Sequence, residues 1–275
     1  MTVDLHDTHR AAGTISEEAW SQAWQDHADG KATTLPLPDF PPEDVQRITN
    51  SLAGAATMAG AATFTRIVVD ELHQRLAAPA ESLRLLDFGA GWGRMIRLLL
   101  RTFPPESLAA VDVDERLVDA GRTTLPGIDF RRTESGGRLP FDDGAFDVII
   151  SNSVFSHLAP PLQMTVLPEL VRVTRPGGLL FITTLAPRHY ETWRQRDKSR
   201  DWITRLVGEE DEVRRALAAG EPVFGRTGRW PDYGITILPD GWTSGHWPEV
   251  GLAVLGTRTD YNQVVNIATP SASMR

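Results

Sequence analysis

Cysteine is absent from the chain. That absence removes disulfides, thiolate zinc sites, iron–sulfur clusters and any cysteine nucleophile in one step. No apolar run approaches the ~18–20 residues that span a bilayer. The opening MTVDLHDTHR lacks the charged-then-apolar order of a secretory leader. The expectation is a cytoplasmic protein with no membrane partner. Positive charge is also in short supply: 28 Lys and Arg against 36 Asp and Glu leave a formal charge of −8, which argues against a nucleic-acid backbone as partner. No cluster of acids and histidines has metal-ligand spacing, and no internal repeat or low-complexity tract is visible, so neither a metal site nor a repeat architecture is expected.

What is present is an ordinary globular composition over 275 residues, enough for one large domain or one and a half. Residues 1–13 are polar and read as frayed. Thr14-Ile-Ser-Glu17 fits a capping box that opens a helix. Trp20 and Trp24, four apart on that helix, read as a stripe docking it on the main domain, with a lid over a substrate pocket as the other reading. Gly30 ends the helix, LPLPDFPP (35–42) is an extended connector, and a second helical stretch over 43–77 is interrupted at Gly54 and Gly60.

From 84 onward the chain alternates. Strands are predicted at 84–88, 108–113, 128–131, 146–151 and 179–184, with helices at 93–102, 114–122 (capped by Asp114) and 161–174 between them. Pro168 should kink or split the last of these helices, and Arg175-Pro-Gly-Gly178 reads as a turn. Residues 188–220 are charged and helical in character, and 221–249 are rich in Gly, Pro and aromatics. The apolar runs 251–256 and 263–268 read as a closing antiparallel hairpin. Strands spaced by helices imply βαβ units and a mainly parallel sheet.

The first strand of this series leads into Arg84-Leu-Leu-Asp87-Phe-Gly89-Ala-Gly91-Trp-Gly93. A glycine loop between strand and helix is a candidate nucleotide cradle. A dinucleotide fingerprint needs Gly-x-Gly-x-x-Gly, whereas here Arg94 stands where the third glycine would fall. Asp87, delivered just before the loop, would repel a pyrophosphate and attract an ammonium. Asp112 ends the second strand, where a carboxylate can accept two hydrogen bonds from a ribose diol. A ligand with a ribose and an ammonium but no phosphate satisfies both acids, and S-adenosyl-L-methionine is such a ligand. Its carboxylate could take the loop and helix-end N–H groups.

With LLDFGAGWGR (85–94), AAVDVDERLVDAG (109–121), GRLPFDDGAFDVIISNSVFSHL (137–158) and LVRVTRPGGLLFITT (170–184) in this order, the chain resembles the class I S-adenosylmethionine-dependent methyltransferases, in particular a bacterial small-molecule subgroup. The resemblance spans about 80–270 and implies an α/β, Rossmann-like fold. Its sheet is mainly parallel and seven-stranded, with helices on both faces and a C-terminal antiparallel hairpin strand. Residues 1–79 become an N-terminal helical extension that covers the substrate, and 187–249 an insertion in the domain. By position it implies that Asp87, Gly89, Ala90, Gly91 and Gly93 line the methionine end and that Asp112 and Val113 hold the ribose and adenine. Asn152, Ser153 and Phe155 would face the cofactor and substrate mouth. Glu134 is the candidate for the adenine amino group, with a backbone contact as the alternative.

Methyl transfer from a sulfonium needs positioning, exclusion of water and, for a protonated acceptor, a base. His157 is the first candidate for that base, with packing as the competing reading, and His189 and Tyr190 follow. The Asn/Asp-Pro-Pro-aromatic loop that grips a planar amide is absent, the chain reading Ser151-Asn-Ser-Val154. A small hydroxyl, amine or carbon acceptor remains, plausible in natural-product biosynthesis, with a homodimer left open. Two rivals stand beside this: a nicotinamide dehydrogenase on a similar sheet, and a protein that binds the cofactor without transferring methyl.

Overall fold

A computed structural model describes residues 3–228 and 230–271. The chain divides into two compact units, Met1–Ser135 with Phe146–Ile150, and Gly136–Ala145 with Ser151–Arg275.

The first unit begins with four helices, α1 (Leu5–Ala12), α2 (Glu17–Ala28), α3 (Glu43–Asn50) and α4 (Ala55–Arg75). The described part of the stretch expected to fray is therefore ordered as α1; Met1 and Thr2 lie outside the described residues. Asp4 caps α1, and Leu5, Thr8 and Ala12 bury one face of it. His9 Nδ1 lies 2.7 Å from the Leu100 carbonyl. Long-range burial, which local polarity does not report, decides the matter. The expected capping box does not form: Ser16, not Thr14, caps α2 by accepting from Ala19 N–H, an alanine that cannot reciprocate, while Thr14 closes α1 on the Ala11 carbonyl. Trp20 and Trp24 are buried as a docking stripe, and Trp20 donates to the Leu98 carbonyl at 2.9 Å. The break expected at two glycines occurs at Gly54 alone, where φ is +64°; α4 runs unbroken through Gly60.

Then follow β1 (Leu85–Phe88), α5 (Arg94–Leu99), β2 (Leu108–Asp112), α6 (Glu115–Thr124), β3 (Asp129–Arg132) and β4 (Phe146–Ser151). Pairing of β1 with β2 and β4, and of β2 with β3, is parallel throughout, with Leu86 opposite Ala109 and Ile149. Strands β1, β2 and β4 are mostly apolar runs buried on both faces, the pattern of a covered parallel sheet, while the edge strand β3 is polar and buries only Phe130. Asp114 caps α6 as expected, its carboxylate accepting from Arg116 N–H.

The second unit holds α7 (Pro160–Val173), β5 (Thr174–Thr184), α8 (Pro187–Arg194), α9 (Asp197–Val207), α10 (Glu210–Ala218), β6 (Val223–Arg226), β7 (Gly234–Ile237), α11 (Trp242–His246), β8 (Leu252–Arg258) and β9 (Val264–Pro270). Helix α7 continues through Pro168; the ring costs it the hydrogen bond to the Met164 carbonyl without ending it. The Arg175–Gly178 stretch, expected as a turn, belongs to β5, with Gly177 at φ +76° inside it. Strand β9 runs antiparallel to both β5 and β8, as the hairpin reading required. The two-stranded β6–β7 sheet was not legible in the sequence. With α8–α10 it encloses a small core of Leu185, Tyr190, Ile203, Val213, Val223, Ile235 and Ile237. The seven-stranded, mostly parallel sheet has the order β3-β2-β1-β4-β5-β9-β8.

Candidate functional site

In the first unit the glycine loop joins β1 to α5. Gly89 and Ala90 N–H both donate to the Val111 carbonyl, at 2.9 and 3.0 Å, and Gly93 N–H donates to the Ala90 carbonyl. Gly91 N–H donates to Asp112 Oδ2 at 2.8 Å. Of these four amides, expected to receive a ligand carboxylate, three brace the loop against the end of β2 and that of Gly93 closes the loop on itself, so internal acceptors already meet them. Two glycines are also demanded by space. At Gly91 (φ +58°) a Cβ would come within 2.6 Å of Thr49 Cγ2, and at Gly93 (φ +83°) within 2.7 Å of both Leu125 and Phe130. Gly93 thus serves helix–strand packing, and Gly91 lets α3 close on the loop.

Asp87 is the electrostatic centre of this unit. It is 1% exposed, and its Oδ2 finds no hydrogen-bond partner among the described residues. Burial, with Asp112 adding repulsion and Arg94 opposing, pushes its carboxyl up to about 8. Arg94, expected only as a replaced glycine, is half-buried and donates to the Thr57 carbonyl and hydroxyl at 3.3 Å. Asp112 accepts from Gly91 N–H and, through Oδ1, from Asp114 N–H at 2.9 Å. Burial raises its pKa, and these backbone donors pull against the rise. Each of its oxygens keeps a second lone pair for an external hydroxyl. Val113, next in the chain, leaves an apolar side chain 52% exposed, suited to the face of a base.

Beyond β3, Glu134 is exposed. Its neighbour Thr133, overlooked in the sequence, donates its N–H to the Asp112 carbonyl at 3.0 Å. The Thr133 hydroxyl is buried with no partner among the described residues. Trp92 is buried edge-to-face on Phe40, a packing role.

In the second unit, Asn152 Nδ2 donates to Tyr261 Oη at 3.1 Å. Ser153 adopts φ +59°, rare for a side-chain-bearing residue. Its N–H donates to Thr183 Oγ1 at 2.7 Å and its Oγ accepts from Gln263 Nε2 at 3.0 Å. Tyr261 and Gln263 lie in the β8–β9 turn, and no spacing rule links them to residues more than a hundred positions earlier. Phe155, expected at the substrate mouth, is fully buried edge-to-face on Trp247.

The three catalytic candidates separate clearly. Tyr190 is a core residue of the α8–α10 layer, its hydroxyl buried without a partner among the described residues. An enclosed ring cannot reach a substrate, so the expectation of a catalytic Tyr190 is corrected to packing. His189 Nδ1 accepts the Ala186 N–H at 2.9 Å and so reaches back over the start of α8 as a cap; burial lowers its pKa. His157 is only partly buried, and its Nδ1 meets the Gly234 carbonyl at 2.7 Å. Burial lowers its pKa too, with that hydrogen bond opposing. Among the described residues no group of three or more His, Asp or Glu could hold a metal.

Residues 85–178 match the family model described as a methyltransferase domain. Over 189 residues the chain is 31% identical to the biotin biosynthesis bifunctional protein BioHC of Cellvibrio japonicus, covering 66% of this chain and 35% of that protein. Over 120 residues it is 38% identical to phthiotriol/phenolphthiotriol dimycocerosates methyltransferase 1 of Mycobacterium ulcerans, covering 42% and 43%. The chain therefore spans less than half the length of these curated relatives. Among solved structures it resembles an S-adenosylmethionine-dependent methyltransferase from Methanosarcina mazei, with a TM-score of 0.51 and 18% identity over 73% of this chain and 97% of that one.

Proposed function

From the match of residues 85–178 to a methyltransferase domain we propose that the protein is a class I, S-adenosylmethionine-dependent methyltransferase that methylates a hydroxyl, amine or carbon of a small molecule, in bacterial secondary metabolism. The observation that carries this reading is the unpartnered, fully buried Asp87 oxygen at the end of β1. A carboxylate costs several kcal/mol to bury without a counter-charge, and the ammonium of S-adenosyl-L-methionine is a counter-charge of the right sign. Asp112 would hold the ribose diol, Val113 would offer an apolar surface to the adenine, and Thr133 or Glu134 would accept from or donate to its edge. A pyrophosphate would add charge of the wrong sign beside Asp87 and Asp112, which disfavours a dinucleotide.

When bound, the cofactor supplies an electrophilic methyl group on a sulfonium, transferred by in-line displacement. The chain's own part is to bind, orient and manage one proton. Thr49 of α3 packs on Gly91, and Thr57 of α4 holds Arg94, which supports residues 1–79 as a cover. For an acceptor bearing a proton, His157 Nε2 takes it. The mycobacterial relative, named for phthiotriol dimycocerosates, supports a small-molecule acceptor. The same reading places the protein in the cytoplasm, acting on neither nucleic acid nor membrane.

The direct test is ligand-dependent melting. S-adenosylhomocysteine raises the melting temperature and NADH does not; the reverse order overturns the cofactor assignment. Asp112→Ala weakens binding by about 1.5–3 kcal/mol, the worth of hydrogen bonds to a charged group, and calorimetry with unchanged affinity removes the ribose role. With an acceptor in hand, His157→Ala lowers turnover by roughly 10²–10⁴-fold at unchanged cofactor affinity. The wild-type rate falls on the acid side as His157 gains its proton, below the 6.5 of an unperturbed imidazole, and the variant loses that limb. Wild-type turnover in the variant removes the base.

A further inference from the structure

The segment after β4 is tied to β7 along its length. Thr236 N–H donates to the Ser156 carbonyl at 2.9 Å, Gly234 N–H to the His157 carbonyl at 2.8 Å and Ala159 N–H to the Asp232 carbonyl at 2.9 Å. Thr236 Oγ1 adds a bond to the Leu158 carbonyl at 2.6 Å. From the other side Gln163, fully buried in the first turn of α7, donates Nε2 to the carbonyls of Phe155 at 2.8 Å and Leu158 at 3.0 Å. This is more bracing than a connecting loop requires, and it encloses one titratable ring, that of His157.

Two contacts define that ring. Its Nδ1 lies 2.7 Å from the Gly234 carbonyl, and a carbonyl only accepts, so Nδ1 carries the hydrogen and the neutral ring keeps its lone pair on Nε2. The imidazole also lies nearly parallel to the Tyr233 ring, at 14° and 5.1 Å between centroids. Gly234 can present its carbonyl there because the β6–β7 pair closes tightly: a Cβ on it would stand 2.1 Å from the Gly225 carbonyl oxygen. The hairpin thus fixes both the tautomer and the plane of a ring 77 residues earlier in the chain.

We infer that the β6–β7 hairpin is a positioning element for His157, in which the Gly234 carbonyl selects the tautomer and the Tyr233 ring holds the imidazole plane, so that Nε2 is presented as the proton acceptor. The inference rests on the proposed role of His157 as base and names Tyr233 as a positioning residue. Among the described residues the titratable and charged groups of the hairpin are Arg226 at the end of β6, Asp232 and Tyr233 itself; the first turn of α7 brings the uncharged Gln163. Burial lowers the proton affinity of His157 and the Gly234 bond opposes that fall.

Side-chain ¹⁵N NMR of the labelled full chain reads the ring directly and needs neither cofactor nor acceptor. The His157 signals are assigned among the seven histidines by their loss in His157→Gln. The wild type is expected to show the Nδ1–H tautomer with a protonation midpoint below that of a free imidazole. Tyr233→Phe keeps both features. Tyr233→Ala and Tyr233→Leu, which lack the ring, mix the tautomers and move the midpoint toward the free value by about 0.5 pH unit or more. Tyr233 is 42% exposed, so folded variants are expected, and the wild-type tautomer stands as a test without them. An Nε2–H tautomer in the wild type, or ring-less variants indistinguishable from it, overturns the inference. An intact signature beside an acid limb that survives His157→Ala instead refutes the base and leaves the hairpin's hold on the ring standing.

Discussion

Asp87→Asn is expected to weaken S-adenosylmethionine binding strongly and, in the same protein, to raise the stability of the ligand-free chain at alkaline pH. Both effects follow from one buried carboxyl. In the folded protein its pKa is raised from 3.8 to about 8 by burial first, with Asp112 adding to the rise. The folded state therefore holds a proton that the unfolded chain releases near 3.8. The stability tied to that proton is complete below 3.8 and is lost progressively as pH rises to about 8, on the order of 5 kcal/mol in all. Asparagine cannot ionise and escapes the loss. Denaturant titrations at pH 6, 7.5 and 9 should show the variant gaining on the wild type as pH rises. Equal slopes would mean that Asp87 is charged and solvated in the folded state.

Binding moves the other way. In the proposed complex the ligand ammonium meets an ionised Asp87, so complex formation is expected to expel the proton and affinity to climb with pH toward 8. It then levels as the ligand's own amine, with a pKa of roughly 7.7–8.0, begins to lose its charge. Asparagine offers a neutral acceptor in place of a charge-assisted one and should cost about 2–3 kcal/mol of affinity. Calorimetry in two buffers of different ionisation heat reads the proton release directly. A variant that binds as the wild type does would detach Asp87 from the ammonium.

Arg97→Ala should be the most destabilising single change in the first unit, at about 3–5 kcal/mol. The guanidinium is wholly buried, and that burial lowers its pKa while Asp39 supports the charge. It is kept charged by being caged: its carbon lies 4.9 Å from the ring centroid of Phe40, 5.3 Å from Trp92 and 5.6 Å from Trp24. It donates to the Pro38 carbonyl at 3.3 Å and to Thr124 Oγ1 at 2.7 Å. Alanine leaves a cavity among three rings and strips the buried Pro38 carbonyl and the part-buried Thr124 hydroxyl of a donor. Arg97→Met refills the space without the charge and should recover part of the loss. Because Trp92 belongs to the glycine loop, Arg97→Ala should also weaken cofactor binding. Denaturation of both variants separates packing from charge; equal stability of Arg97→Ala and the wild type would reduce the cage to coincidence.

The β1-to-β4 alternation, the β8–β9 hairpin and the acids at the ends of β1 and β2 could all be read from the residues alone. They are written in local periodicity and spacing, and a carboxylate at a strand end beside glycines states its charge preference without tertiary help. Elements whose order comes from distant partners were not legible. Helix α1 looks polar until Leu100 and Pro36 receive it, and β6 and β7 are short strands that gain meaning only by pairing with each other.

The glycine loop itself divides the two kinds of information. Sequence by itself carries the proposal that a phosphate-free, ammonium-bearing nucleoside suits the Asp87–Asp112 pair, because charge sign and strand-end position are local properties. Only the tertiary structure decided that the loop amides are spent internally, that Tyr190 is core, and that His189 accepts a backbone hydrogen while His157 donates one and keeps Nε2 as its acceptor. Those outcomes depend on which carbonyl or N–H lies within 3 Å of a given atom, and that is fixed by packing between segments far apart in the chain.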